Sequence, residues 1–212
     1  MGWRAWNLSE TDGDPSLEPA GSGTGAWPPR QAVVARCGAP ALMTVGVGRH
    51  DAPDPRCTCG IYAGRSLDTF ERNRPAWPPP TVIGTIALWG RIVEHERGWR
   101  ARYAYPSRLR LACVVCAWVE PGSGVPVVVH GFAGRLFALC EDHRHGIELP
   151  DGRRTRATPH DPLALQARLL DAYAVDLLPA EVVGALFARP PSPAVAAYIP
   201  SIRIVPGDAL DR

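Results

Sequence analysis

Four residues define a chemistry by their type and spacing: Cys113 and Cys116, then Cys140 and His143. They read C-x2-C, 23 intervening residues, then C-x2-H. A pair with a two-residue gap can grip a tetrahedral ion from one side, and two pairs complete its coordination. Three thiolates and one imidazole suit Zn²⁺. With all four positions filled by protein, no site is left for substrate or water, so the expected metal is structural. The competing account is burial alone, since Cys113 and Cys116 lie in the apolar run Leu-Ala-Cys-Val-Val-Cys-Ala-Trp and cysteine packs as a small hydrophobe. Two pairs with the same gap, in a chain of six cysteines, favour metal over that account.

A second constellation is Cys37, His50, Cys57 and Cys59. It is a candidate second metal site, with Gly60 after the C-x-C turn allowing the backbone to curl round an ion. Its spacing is less typical of zinc, and a C-x-C pair converges on one ion only if the chain bends sharply. Here the competing account is that Cys37 and Cys59 fill apolar positions and His50 holds a loop through a hydrogen bond.

The elements that must position these residues follow from pattern. Arg108 to Ala112 reads as a strand entering the first pair. Val125 to His130 and Arg135 to Leu139 read as strands joined by the turn-prone Gly131-Phe132-Ala133-Gly134. Upstream, Thr81 to Glu94 is β-branched and apolar, Glu96-Arg97-Gly98 marks a turn, and Trp99 to Tyr105 alternates. Trp99, Ala101, Tyr103 and Tyr105 fall on one face, expected to be buried, with Arg100 and Arg102 on the other. Trp3 to Leu8 reads as a short edge strand, Ser9 to Pro29 as a loop, and Gln31 to Arg36 as a strand. Pro40 to Pro55 reads as irregular, Ser66 to Asn73 as a short helix, and Pro75 to Pro80 as polyproline II. Asp161-Pro162 opens a helix with Asp161 as N-cap. Leu163, Gln166, Leu169, Leu170, Tyr173 and Leu177 make its apolar stripe. Pro179 to about Ala188 is a second helix carrying Val182, Val183, Leu186 and Phe187. The Pro-rich tail is expected to run extended, anchored by Ile199, Ile202 and Ile204.

The expected fold is α+β: a twisted antiparallel β-meander, an inserted metal-binding segment and C-terminal helices docked on the sheet. Three regions follow: a β-rich part over 1–112, a zinc-binding segment over 113–150, and a helical segment with its tail over 151–212. The layout strand, knuckle, hairpin, second pair resembles zinc ribbons and treble clefs, which serve protein binding, nucleic-acid binding and scaffolding alike. A second resemblance covers about the first 112 residues. Trp3-Arg4-x-Trp6, His50-x2-Pro53-x3-Cys57-x-Cys59-Gly60-Ile61-Tyr62-Ala63, Leu88-Trp89-Gly90 and Gly98-x-Arg100-Ala101 resemble a group of uncharacterised bacterial proteins. That resemblance implies a shared domain and no particular activity.

Composition narrows the function classes. The chain has 212 residues and 46% apolar content, enough for one domain or two small ones. All 23 basic residues are Arg, and the formal net charge is only +2. The abundance of Arg with Ala, Gly and Pro fits a GC-rich coding sequence, which weakens a phosphate-binding account of the arginines. No run of 18 apolar residues suggests a membrane span, and the N-terminus lacks the apolar stretch of a signal peptide. The expected location is therefore the cytoplasm, where reduced thiols bind metal and do not pair. No G-x-S-x-G, H-E-x-x-H or phosphate-binding Gly loop occurs, Gly46-x-Gly48 lacks a third glycine, and Glu94-His95-Glu96 reads as a solvated hairpin end.

Three function classes result. The favoured one is a non-enzymatic Zn²⁺ protein acting as an interaction or regulatory module with a protein partner. The second is nucleic-acid binding through Arg91, Arg100, Arg102, Arg108 and Arg110 interleaved with aromatics. The third is an enzyme centred on Cys37, His50, Cys57 and Cys59.

Overall fold

In a computed structural model, residues 1–20, 25–38, 50–67, 80–148, 152–187 and 203–205 are described. The architecture is α+β, dominated by antiparallel strands, with three short helices among the described residues. Strand β1, Gly2–Thr11, is central and not an edge. Along one side it pairs with β5, Val82–His95, and then with β8, Arg135–Leu139. Along the other it meets β4, Ile61–Gly64, at Trp3, and then β2, Asp14–Pro19. The expected loop over Ser9 to Pro29 is thus partly strand. Asp12 and Gly13, with φ of 53° and 87°, supply the left-handed turn that lets β1 fold back on β2.

The long hairpin appears where alternation places it. β5 pairs with β6, Gly98–Leu111, along its whole length, with register shifts at Thr85/Ile86 and Trp89/Ile92. β6 also pairs with β4, and with β3, Val33–Val34, so the pairings β1–β5–β6–β4–β1 run in a closed ring. That closure is why the two faces of β6 differ from a simple meander. Trp99, Tyr103 and Tyr105 are half-buried, whereas Arg100 is buried.

After β6 comes α1, Val114–Trp118, every residue of which is buried. β7, Val128–Phe132, and β8 form a hairpin turning at Ala133 and Gly134, both with positive φ. A 3-10 turn follows over Glu141–His143, then β9, Ile147–Glu148, and β10, Arg156–Ala157, which returns to β7.

The helix α2, Pro162–Tyr173, starts on the Asp161 side chain, which accepts a hydrogen bond from the Ala164 N–H at 2.7 Å. It buries Leu165, Leu169 and Tyr173 against Trp6, Leu8, Leu17, Trp27 and Leu109. Leu163 and Leu177, expected in its stripe, are instead exposed: the buried stripe is rotated to include Leu165, and Leu177 lies past the end of the helix. β11, Asp176–Leu177, then lies parallel to β6. The last helix, α3, Ala180–Phe187, packs Val183 and Phe187 into a second apolar cluster with α1, Phe137, Leu139 and Ile147. β12, Arg203–Ile204, closes that cluster by pairing with β9. Most of the expected helix from Ser66, residues 75–79 of the expected polyproline segment, residues 40–49 of the expected irregular stretch, and Ile199 and Ile202 lie outside the described residues, while 50–55 form neither helix nor strand.

Thr81 joins the two clusters. Its hydroxyl donates to the Ala112 carbonyl at 3.1 Å and accepts from the Ala138 N–H at 2.9 Å. Its own N–H donates to the Trp6 carbonyl, and its carbonyl accepts from the Ala112 N–H. Thr81→Val keeps shape but leaves two buried backbone groups without a side-chain partner. Denaturant unfolding of T81V is expected to show a loss of about 1–3 kcal/mol.

Candidate metal centres

The central cluster is assembled from two short helical turns. Cys113 is the N-cap of α1 and Cys116 lies one turn along it. Cys140 caps the 3-10 turn and His143 ends it. Strand β6 delivers the first pair and β8 the second, so the hairpin bridges the 23-residue gap. Cys113 and Cys140 are 0% exposed, Cys116 and His143 2%.

All four ligand atoms lie within 4.8 Å of one another. The His143 Nδ1 is 3.5 Å from Cys113 Sγ, 3.5 Å from Cys116 Sγ and 3.2 Å from Cys140 Sγ, and the Cys116 and Cys140 sulfurs are 3.5 Å apart. Such separations suit four ligands around one ion with bonds of about 2.0–2.3 Å. His143 points Nδ1 inward and places Nε2 3.0 Å from Glu120 Oε1. A carboxylate on the outer nitrogen fixes the ring and raises its basicity, as metal-binding histidines commonly require.

The loop after α1 wraps the centre. Gly122 comes so close that a Cβ there would sit 2.6 Å from Cys116 Sγ. The Cys113 N–H donates to the Gly124 carbonyl at 3.1 Å. Hydrogen bonding from Cys116 and His143 holds the Cys113 thiol down at about 4, against burial that opposes it. Burial works against protonation of His143, but Cys113 and Glu120 raise it to about 9. The Cys113 thiolate and burial together push the Cys116 thiol up, so without metal the pocket holds a Cys113 thiolate facing a protonated His143, and a divalent cation would take the place of the protons.

The N-terminal constellation also converges, with the ligand atoms of Cys37, His50, Cys57 and Cys59 within 4.8 Å of one another. Cys37 Sγ is 3.8 Å from Cys57 Sγ, and His50 Nε2 is 3.2 Å from Cys59 Sγ. All four residues are half-buried. The C-x-C turn bends sharply enough because Gly60 has φ of 124° and because Arg100 reaches under it. The Arg100 guanidinium donates to the carbonyls of Asp54, Cys57 and Cys59. The Cys59 N–H brings the Cys57 thiol down to about 7, while burial pushes Cys59 up to about 11.

The five arginines offered for nucleic acid stand in different surroundings. Arg100 is buried and its guanidinium is committed to the Cys57–Cys59 turn. Arg110 donates to the Leu178 carbonyl. Arg102 pairs with Asp51 at 3.3 Å and lies over the Tyr103 ring. Arg91 and Arg108 are exposed. Arg100 was legible only as a surface cation, since alternation places it on the outer face. Glu120 had no sequence mark at all.

Removing the Glu120 carboxylate as E120A is expected to weaken the central site by about 10–100-fold in competition with a chelator. Acidification supplies a second test. Protons compete for the ligands, so metal is lost as pH falls. The half-buried N-terminal cluster should empty at higher pH than the sealed central one, because water and protons reach its ligands more readily. Metal content measured across a pH series gives the order.

No family model matches the chain, and no curated protein or solved structure matches it.

Proposed function

We propose that this chain is a non-enzymatic zinc protein, an interaction or regulatory module whose middle segment, 113–150, is a zinc-ribbon or treble-clef-like staple. One observation carries it: four soft ligands converge in full burial, with His143 already oriented by Glu120. A site closed on all sides offers no coordination position for chemistry, so its work is to hold the α1 turn to the β7–β8 hairpin. The β-rich part, 1–112, which resembles a group of bacterial proteins, then presents the surface a protein partner would read. A reducing compartment, the cytoplasm, keeps the six free thiols available for metal.

A second reading is favoured by one feature. Trp89 is 40% exposed and stacks on Tyr103 at 6.0 Å with an 18° interplanar angle, and Arg102 covers the same Tyr103 ring. Exposed aromatics beside arginine suit unpaired bases. Titration with single-stranded oligonucleotides at two salt concentrations separates the readings: salt-independent absence of binding removes this one.

The main reading is tested by metal analysis of protein purified without added metal. Cys113→Ser is expected to lose one zinc per chain and to melt at lower temperature. A C113S protein with full zinc content and unchanged melting would sink the structural-zinc reading.

A further inference from the structure

The two Cys3His clusters share a ligand set and differ in access. The central sulfurs are sealed, with Cys113, Cys116 and Cys140 at 0–2% exposure. Around the N-terminal cluster every ligand is half-buried, and Asp51, Pro55, Arg56 and Thr58 beside it are exposed. Small solutes can therefore reach one set of thiolates and not the other.

Two anchors keep Cys37 and Cys57 side by side without help from an ion. The Ala35 N–H, two residues before Cys37, donates to the Arg102 carbonyl at 2.7 Å. The Cys57 carbonyl is held by the Arg100 guanidinium. Both anchors are on β6. The sulfurs stand 3.8 Å apart and need to close only to about 2.0 Å to bond.

We propose that Cys37, His50, Cys57 and Cys59 form a second zinc site that hydrogen peroxide opens, releasing the zinc as Cys37 and Cys57 join in a disulfide. The proposal rests on the zinc reading of the Cys/His clusters given above. In the first step the Cys57 thiolate attacks one peroxide oxygen. The O–O bond breaks, hydroxide leaves, and Cys57 becomes a sulfenic acid. In the second step the Cys37 thiolate attacks the Cys57 sulfur and displaces a second hydroxide. Two electrons pass from sulfur to peroxide. Zinc keeps its charge and leaves because two of its four ligands are gone. Cys59 and His50 alone bind too weakly to retain it. The C-x-C alternative, Cys57 to Cys59, is disfavoured because Arg100 already fixes both of those carbonyls.

The test uses the full chain loaded with zinc, a few equivalents of hydrogen peroxide, a chromogenic zinc chelator, and cysteine mapping by mass spectrometry. The expected result is release of one zinc per chain together with a Cys37–Cys57 crosslink. Dithiothreitol with added zinc should restore the original content. Release of both zincs together, no release, or release without a disulfide containing Cys37 would overturn the proposal. A chain that carries a single zinc, lost in Cys113→Ser, overturns the second site and leaves the central reading standing. A chain with no zinc sinks both.

Discussion

Strand β1 must serve β5 and β8 on the same side, one after the other, and the rest of the molecule depends on that sharing. Gly2 to Trp6 lie against β5, and Leu8 and Ser9 against β8. The end of β6, which pairs with β5, is thereby brought beside the end of β8. Cys113 follows β6 by two residues and Cys140 follows β8 directly, so the two halves of the central cluster meet because two strands share one edge. Thr81 fills the seam with four hydrogen bonds, two from its side chain and two from its backbone. A buried polar side chain is tolerated there because every group it brings is answered.

The two clusters illustrate how burial decides what identical ligands do. In the centre, apolar packing from α1, β8 and α3 surrounds the sulfurs, with the Glu120 carboxylate on the far side of the imidazole and the Asp142 carboxylate 3.9 Å from Cys140 Sγ. At the N-terminal cluster the organising element is a cation, Arg100, placed beneath a turn whose carbonyls converge on it. A buried guanidinium with three carbonyl acceptors is well satisfied without a carboxylate partner. That use removes it from any external surface.

Much of this was legible in the sequence, for reasons that can be named. Ligand pairs two residues apart are local, so spacing alone marks Cys113, Cys116, Cys140 and His143. Strict alternation and β-branching mark the long β5–β6 hairpin, and Asp161-Pro162 marks the start of α2. Illegible features are those decided at a distance. Nothing in Trp3 to Leu8 tells that its partners come from residues 82–86 and 135–136, so a central strand reads as an edge. Arg100 looks solvated because alternation ignores the turn that arrives from 54–59. Leu163 belongs to a helical stripe by spacing, yet the face that docks is chosen by Trp6, Leu8 and Leu17, which helical periodicity cannot see.

The pairing of β12 with β9 has a consequence for the order in which the molecule can be completed. Arg203 and Ile204 lie against Ile147 and Glu148, and the Val205 N–H donates to the Gly146 carbonyl, three residues past His143. Phe187 packs on Gly124 beside the same centre. All four candidate ligands leave the ribosome about 45 to 60 residues before Phe187 and the 203–205 segment do. During synthesis the central cysteines and His143 are therefore made before the segments that cover them, and the finished fold closes the route by which solvent would reach them.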